Sequence, residues 1–294
     1  EQAIRADYER RFRKYQYKPQ PGITDVKARV NLFPESQAYD IHGVYSLVNT
    51  SLEPIDSILI NLPDGFDLGE LIYEDAHTRV LVDRDELVLE QPLKPQDSAR
   101  LTFTLSYRWS AVNGHDPFNA IVENGSFMRL SRYFPTFGYD EDAELVDDII
   151  RAQYGLGAPT GIKSLDAPKV RIDDSMDLEL DISTTEDQIA IGTGELIKEW
   201  SEAGRNCYRY VAKDIPFRFA VSSARYRRKQ VLHRSIGIHV FFHPLHAQNV
   251  DHLIENTKLT LDYCIEQFGP YPFQSVVFAE VSSFTSGFAG TAYP

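Results

Sequence analysis

Strict alternation of apolar and polar residues is the feature that most narrows what this chain can become. Leu101, Phe103, Leu105, Tyr107 and Trp109 alternate with Thr102, Thr104, Ser106 and Arg108. A period of two sends one set of side chains to a core and the other to water, which describes a half-buried strand and no helix. Val26, Ala28, Val30 and Leu32, set against Lys27, Arg29 and Asn31, follow the same rule. So do Tyr39, Ile41, Tyr45 and Leu47, and later Met176, Leu178, Leu180 and Ile182. Pro34-Glu35-Ser36, Pro63-Asp64-Gly65, the stretch from Pro92 to Pro95, and Asn113-Gly114 break the runs as turns. Further strands are expected near 188–192, 206–212 and 217–226. Many short alternating strands with such punctuation predict a mainly β chain, a β-sandwich or an open curved sheet.

Both ends depart from this rule. Over residues 1–18, Ile4, Tyr8, Phe12 and Tyr15 fall near one helical stripe, and Arg5, Arg10, Arg11, Arg13, Lys14 and Lys18 make the segment basic. The expectation is a solvated basic leader helix over 1–20, stopped by Pro19, Pro21 and Gly22. The alternative is a stretch that follows a membrane segment, where basic residues sit near headgroups. Residues 115–170 are irregular, with an acidic run over 140–148 and a short helix expected around 141–153. After residue 228 the pattern changes again. Ile236, Ile238, Val240 and Phe242 form a strand that ends at Pro244. Val250, Leu253, Ile254, Leu261, Ile265 and Phe268 recur at helical spacing, and Gly269-Pro270 closes that helix. A strand follows over 275–281, with Val276, Phe278 and Glu280 on one face and Val277, Ala279 and Val281 on the other. Strand, helix and strand open an α/β unit. The boundary is expected in the basic linker Arg225-Tyr226-Arg227-Arg228-Lys229, giving a leader at 1–20, a β-sandwich at 21–228 and an α/β start at 229–294. The last is too short for a comfortable α/β core and reads as truncated.

Charge and composition exclude several functions. Forty-three acidic and thirty basic residues leave a net charge of −13, which repels phosphate backbones, so no nucleic-acid partner is expected. No apolar run approaches the roughly 20 residues of a spanning helix, so the chain is expected to be soluble. Its opening on Glu1 suggests a piece cut from something longer. Cys207 and Cys264 are two thiols or one bridge, and leave the compartment open.

The residues show no catalytic constellation. H-E-x-x-H, the G-x-S-x-G elbow and the Walker loop are all absent. His243 and His246 are the close histidine pair, but Pro244 between them prevents a helical arrangement, and zinc needs three or four ligands. His239 is expected to be a half-buried strand residue. Gly192-Thr193-Gly194 is expected to be a tight turn rather than a phosphate cradle. Asp140, Glu141, Asp142 and Glu144 lack the spacing of a calcium loop and are expected to be a solvated acidic loop.

Four stretches together resemble the aminopeptidase N-like zinc metallopeptidases, the gluzincin aminopeptidases. Ser131-Arg132-Tyr133-Phe134-Pro135-Thr136-Phe137-Gly138-Tyr139-Asp140 is similar to the family's A-R-x-x-F-P-x-x-D segment. Ile191-Gly192-Thr193-Gly194-Glu195-Leu196 is similar to its S-N-G-x-L strand turn. Phe217-Arg218-Phe219-Ala220-Val221-Ser222 is similar to the strand leading out of its β-domain, and Phe268-Gly269-Pro270-Tyr271-Pro272-Phe273 to its F-x-x-P-Y-P segment. The resemblance covers about residues 20–294. It is nearest to the peptidase portion of bacterial membrane proteins that join an ABC-type permease to such a domain, which would tether the parent to a membrane.

The resemblance implies a saddle-like antiparallel β-sandwich followed by a truncated, thermolysin-like α/β start. It implies peptide hydrolysis in the parent, with a peptide as substrate. The family's peptide-binding G-x-M-E-N strand falls on Gly287, Phe288, Ala289, Gly290, Thr291 and Ala292, with its glutamate position at Thr291 or Ala292. The family's second amine anchor falls near Phe127. Neither carboxylate carries over, which predicts a parent that is not an efficient aminopeptidase of the usual type. The zinc-binding H-E-x-x-H lies downstream in the family, so zinc is expected in the parent and no cofactor in this chain. The missing catalytic remainder is then this chain's first partner. Alone, the chain is expected to be inactive, with no catalytic residue and no metal ligand of its own. The edge strand near 284–292 is expected to be exposed and to invite self-association. The competing reading is a pseudo-peptidase scaffold or protein-interaction module; a free-standing carbohydrate- or protein-binding sandwich leaves the segment after residue 230 unexplained.

Overall fold

A computed structural model describes residues 1–83, 85–111, 119–161 and 175–283. Its elements in chain order begin with α1 (Gln2–Phe12), β1 (Gly22–Phe33), β2 (Ala38–Val48), β3 (Ile55–Asn61), β4 (Asp67–Glu74), β5 (Arg79–Leu81), β6 (Glu86–Leu93) and β7 (Ser98–Arg108). Then come β8 (Asn119–Ala120), β9 (Ser126–Met128), β10 (Thr136–Phe137), α2 (Asp148–Gln153), β11 (Met176–Thr185), β12 (Ile189–Gly192), β13 (Glu195–Glu202), β14 (Arg205–Ile215) and β15 (Val221–Ala224). The last four are β16 (Arg227–His233), β17 (Ile236–Phe242), α3 (Val250–Phe268) and β18 (Ser275–Ala279).

The largest sheet runs β13-β14-β11-β1-β2-β7-β4-β5. Its pairings are antiparallel except β1 with β11, which run parallel from Asp25 opposite Asp177 to Asn31 opposite Ser183. The alternation seen in the sequence is the inward face of this sheet: Val26, Val30, Tyr45, Leu101, Phe103 and Leu180 are all 0% exposed. They share one core with the smaller sheets β10-β3-β6 and β12-β15-β9-β8, through Ile58 and Ile60, Ala190, Val221 and Met128. The fold is therefore mainly β, with antiparallel sheets packed face to face. Each large side chain removed from water contributes about 1.5–3 kcal/mol.

Aromatic rings fill the centre. Tyr45 meets Phe103 at 5.0 Å, Phe103 meets Phe134 at 5.0 Å, and Phe134 meets Phe219 at 5.2 Å, each edge on. Gly43 makes room for this nest: a Cβ there would lie 2.1 Å from the Phe103 ring. Tyr45 donates its hydroxyl proton to the Pro135 carbonyl at 3.1 Å, and burial pushes its phenol far above the ordinary range. Phe134, Pro135 and Phe219, which carry part of the family resemblance, are thus core-packing residues.

The N-terminal helix is where the structure departs most from expectation. It is seated rather than solvated. Ala6, Glu9, Phe12 and Tyr15 are buried, whereas Ile4, expected on the apolar stripe, is 74% exposed. Glu9 accepts two hydrogen bonds from the buried Arg151 guanidinium, at 2.6 and 3.0 Å, and a third from Arg13 at 2.8 Å. The segment's basic charge is engaged within the chain. Arg5 donates to the carbonyls of Ala143 (2.9 Å) and Asp142 (2.6 Å), Arg10 to that of Tyr154, and Arg13 also to that of Ala158 (2.8 Å). Arg11 faces Asp7 and Asp85, Lys14 pairs with Glu86 and Lys18 with Asp56.

In the opposing acidic loop Asp140 and Asp142 are exposed, as expected, but Glu144 is not. Glu144 is 2% exposed, accepts from the Thr160 N–H (2.6 Å) and hydroxyl (2.7 Å), and takes the Tyr139 hydroxyl at 2.8 Å. Because the chain turns there to bury Glu144, the helix expected over 141–153 is broken. A single 3-10 turn covers Glu141–Ala143, and α2 starts afresh behind Asp147, whose carboxylate accepts from the N–H groups of Ile149 and Ile150.

Two further corrections concern the later strands. The strand expected over 217–226 shortens to β15, because Phe217 and Phe219 turn into the aromatic nest. The basic stretch expected as a linker is instead β16, paired antiparallel with β17 from Arg227 opposite Phe242 to His233 opposite Ile236. β18 joins β17 in parallel through α3. Its two faces divide as the alternation predicts: Val276 and Phe278 pack with Ile238, Val250 and Ile254, while Val277 and Ala279 pack on the larger core. Phe268, expected on the buried stripe of α3, is 81% exposed. Among the described residues, no helix is long and apolar enough to cross a membrane.

Candidate functional site

The residues expected to bind peptide, Gly287, Phe288, Ala289, Gly290, Thr291 and Ala292, lie outside the described residues, as does the edge expected near 284–292. The structure does describe the chain that leads toward them. Beyond β18, the Glu280 N–H donates to the Phe241 carbonyl at 2.9 Å, and the Ser282 N–H donates to the Gly125 carbonyl at 3.3 Å. The end of the parallel strand is thereby laid on the turn that enters β9. Gly125 has φ +107°, a left-handed conformation that side chains disfavour, and a Cβ there would face Ser282 at 3.4 Å.

Tyr226 and Ser222 fasten the same junction from below. The Tyr226 hydroxyl donates to the Glu280 carbonyl at 2.6 Å, and the Ser222 hydroxyl donates to the Ser126 carbonyl at 3.1 Å. The two hydroxyls lie 2.6 Å apart. Burial pushes the Tyr226 phenol well above its ordinary value, so it stays protonated and keeps its donor. Phe127 sits in β9, half-buried, opposite Ser222 of β15 and Ala120 of β8. The strand carrying the expected second amine anchor is therefore adjacent to the turn that β18 runs onto.

Glu280 closes the upper side. Its carboxylate accepts the His243 N–H at 2.7 Å and contacts Nδ1 of His246. The His243 ring accepts the Leu245 N–H at 3.3 Å and lies 5.0 Å from the His246 ring. Both imidazoles are held by a backbone group or a carboxylate. Among the described residues, no three histidine, cysteine, aspartate or glutamate side chains are grouped so that they could hold a metal ion. His239 is half-buried, and its Nδ1 lies 3.1 Å from the Arg228 guanidinium. Cys207 and Cys264 are both free thiols. Gly192-Thr193-Gly194 is a turn in which the Thr193 hydroxyl accepts the Ala220 N–H at 3.0 Å.

Sequence reasoning missed Glu280, Tyr226 and Ser222 as a set. One signal was present: Glu280 falls on the face of Val276 and Phe278, where a charge needs a partner. Nothing in the local pattern pointed to Tyr226, which meets the Glu280 carbonyl only through the fold, or to Ser222, which meets Tyr226.

No family model matches the sequence, and no curated protein matches it. Solved structures do match in shape. An M1 zinc metallopeptidase from Deinococcus radiodurans superposes with a TM-score of 0.56 at 12% identity, over 89% of this chain and 57% of that one. A single-residue variant of the M1 zinc metallopeptidase from the same organism gives 0.55 at 13% identity, over 88% and 56%. This chain thus spans little more than half the length of either. At such low identity, the likeness is one of fold.

Proposed function

We propose that this chain is the β-domain and the opening of the catalytic unit of an M1-like zinc metallopeptidase, and that it shapes one wall of a peptide-binding cleft. The observation that carries the reading is the fold likeness over nearly nine-tenths of the chain. The junction of β18 with the Gly125 turn supports it, because it lays Ser282, a few residues before the segment expected to hold peptide, beside the turn that enters β9. The division at about residue 228 belongs to the same proposal; a smaller apolar cluster drawn wholly from residues after it supports that division, although Phe241, Val277 and Ala279 pack into the larger core. A peptide is the substrate of the whole protein on this reading, and zinc is its metal. Attachment to a permease rests on the sequence resemblance alone.

Among the described residues, none are grouped to hold a zinc ion. Glu280 already serves two donors, and no third ligand joins His243 and His246 among the described residues. Bound zinc lowers the pKa of its water from about 15.7 to about 7, and on this reading the ligands for that step lie outside the described residues. What this chain supplies is backbone and shape.

Two measurements test the reading. The purified chain should show no chelator-sensitive hydrolysis of peptides. The protein extended past Pro294 should carry H-E-x-x-H and hydrolyse peptides in a chelator-sensitive way, without the strong preference for free amino termini that a carboxylate anchor confers. An extension lacking H-E-x-x-H and inert toward peptides would turn the assignment to an interaction scaffold.

A further inference from the structure

The turn between β8 and β9 is Val122-Glu123-Asn124-Gly125. The two strands pair Ala120 with Phe127, and the same register sets Val122 opposite Gly125. A main-chain bond from the Gly125 N–H to the Val122 carbonyl would ordinarily close such a turn. Here a side chain takes its place: the Ser126 hydroxyl accepts the Val122 N–H at 3.1 Å and donates to the Val122 carbonyl at 2.9 Å. Among the described residues, nothing accepts the Gly125 N–H. The loop is nevertheless held in place. The Arg225 N–H donates to Oδ1 of Asn124 at 2.8 Å, and the Arg225 guanidinium lies 3.2 Å from the Glu123 carboxylate. Asn124 is half-buried and Glu123 is exposed, so water reaches the loop.

Asn124 is held differently from other asparagines of the chain. The side-chain nitrogen of Asn49 donates to the carbonyls of Glu53 and Leu93, that of Asn61 to Gly138, and that of Asn206 to Glu186 and Gln188. Among the described residues, Nδ2 of Asn124 has no acceptor, while its Oδ1 faces a fixed donor. The following residue carries no side chain to shield its nitrogen, because position 125 is a glycine at φ +107°. A polarised carbonyl, an unbound leaving group and an unbound neighbouring nitrogen thus meet at one turn.

We propose that Asn124 is a self-modification site, converting to aspartate and isoaspartate through a succinimide without an enzyme. The Gly125 nitrogen gives up its proton and bonds to Cγ of Asn124. Negative charge develops on Oδ1, which the Arg225 N–H already faces. A single donor set before a developing oxyanion is worth about 100–1000-fold in rate in enzymes. The Cγ–Nδ2 bond then breaks, and ammonia leaves with the proton that Gly125 released. Water opens the ring at either carbonyl. One amide and one water become one carboxylic acid and one ammonia, and nothing is oxidised or reduced. Opening at one carbonyl gives aspartate. Opening at the other gives isoaspartate, whose extra main-chain carbon lies just ahead of the Gly125 carbonyl that holds Ser282.

Incubation of the folded chain in mildly alkaline buffer, followed by peptide mapping and an isoaspartyl methyltransferase assay, tests the site. Mapping separates Asn124 from Asn113, the other asparagine that precedes a glycine. Asn124 is expected to convert faster in the folded chain than in the same chain unfolded in urea, by about tenfold or more. Ser126→Ala frees the Val122 carbonyl to close the turn on the Gly125 N–H. It should therefore slow conversion in the folded chain by about fivefold and leave the rate in urea unchanged. Asn124→Gln should abolish isoaspartate at this position. Conversion in the folded parent chain that is no faster than in urea overturns the site, and this comparison holds even if a variant does not fold. An unchanged rate in folded Ser126→Ala overturns it as well.

Discussion

At the scale of single residues, this protein is decided by charges that leave water. Glu9 and Arg151 are 1% and 2% exposed, so each depends on the other. Removing one partner of such a pair costs about 3–5 kcal/mol, whereas replacing both with apolar groups is often neutral. Arg151→Met should therefore lower stability in urea by that amount, and Glu9→Leu combined with Arg151→Met should recover most of it. His239 makes a second prediction. The Arg228 guanidinium donates to its Nδ1, which requires a neutral ring, and burial, then Arg228, hold its pKa below the ordinary value. The unfolded chain takes up this proton near pH 6.5, while the folded chain resists it to lower pH. The unfolded state then binds more protons, so stability is whole above about pH 6.5 and declines as pH falls below it. His239→Gln should flatten that decline in urea titrations between about pH 7 and 5. Neither pairing was legible in the sequence. Glu9 and Arg151 stand 142 positions apart, and a polar residue on a helix carries no mark of a partner that distant.

At the scale of elements, α1 is held mainly by charge and by a small aromatic cluster rather than by a wide apolar face. Phe12, Tyr15 and Leu59 form a core of their own, flanked by Tyr8 and Tyr139. Deleting residues 1–18 should uncover Leu59, leave Arg151 without its carboxylate and free the 140–160 loop. Faster proteolysis within that loop and a lower melting temperature are expected; an unchanged digestion pattern would contradict this packing. The helix itself was legible from its spacing and from the prolines behind it. Its inward face was not, because Ala6 and Glu9 are buried while Ile4 is left in water, and only the docking partner decides that. The edge strand β13 shows the opposite case. Glu195, Lys198, Glu199 and Glu202 line an exposed edge, and charges of this kind deter pairing with another chain.

At the scale of the whole molecule, the large sheet and its partners share one extended core, while β16, β17, α3 and β18 are gathered around Ile236, Ile238, Val240, Val250, Ile254 and Leu261. A smaller cluster opens at lower free energy. Hydrogen exchange should therefore release the amides of α3 before those of β1, β2 and β7; simultaneous release would mean one cooperative unit. The architecture was legible because burial of a β-sheet face repeats every second residue, a local rule written in side-chain chemistry. By itself the sequence determined the long alternating strands β1, β2, β7 and β11, the change to strand, helix and strand after residue 228, and the two faces of β18. Tertiary structure alone decided that the basic stretch at 227–233 is a strand, that Glu280 holds His243 and His246, and that Ser282 rests on Gly125. Those outcomes depend on groups brought together from distant parts of the chain, where the energy of burying a polar atom is settled by whichever partner the fold delivers.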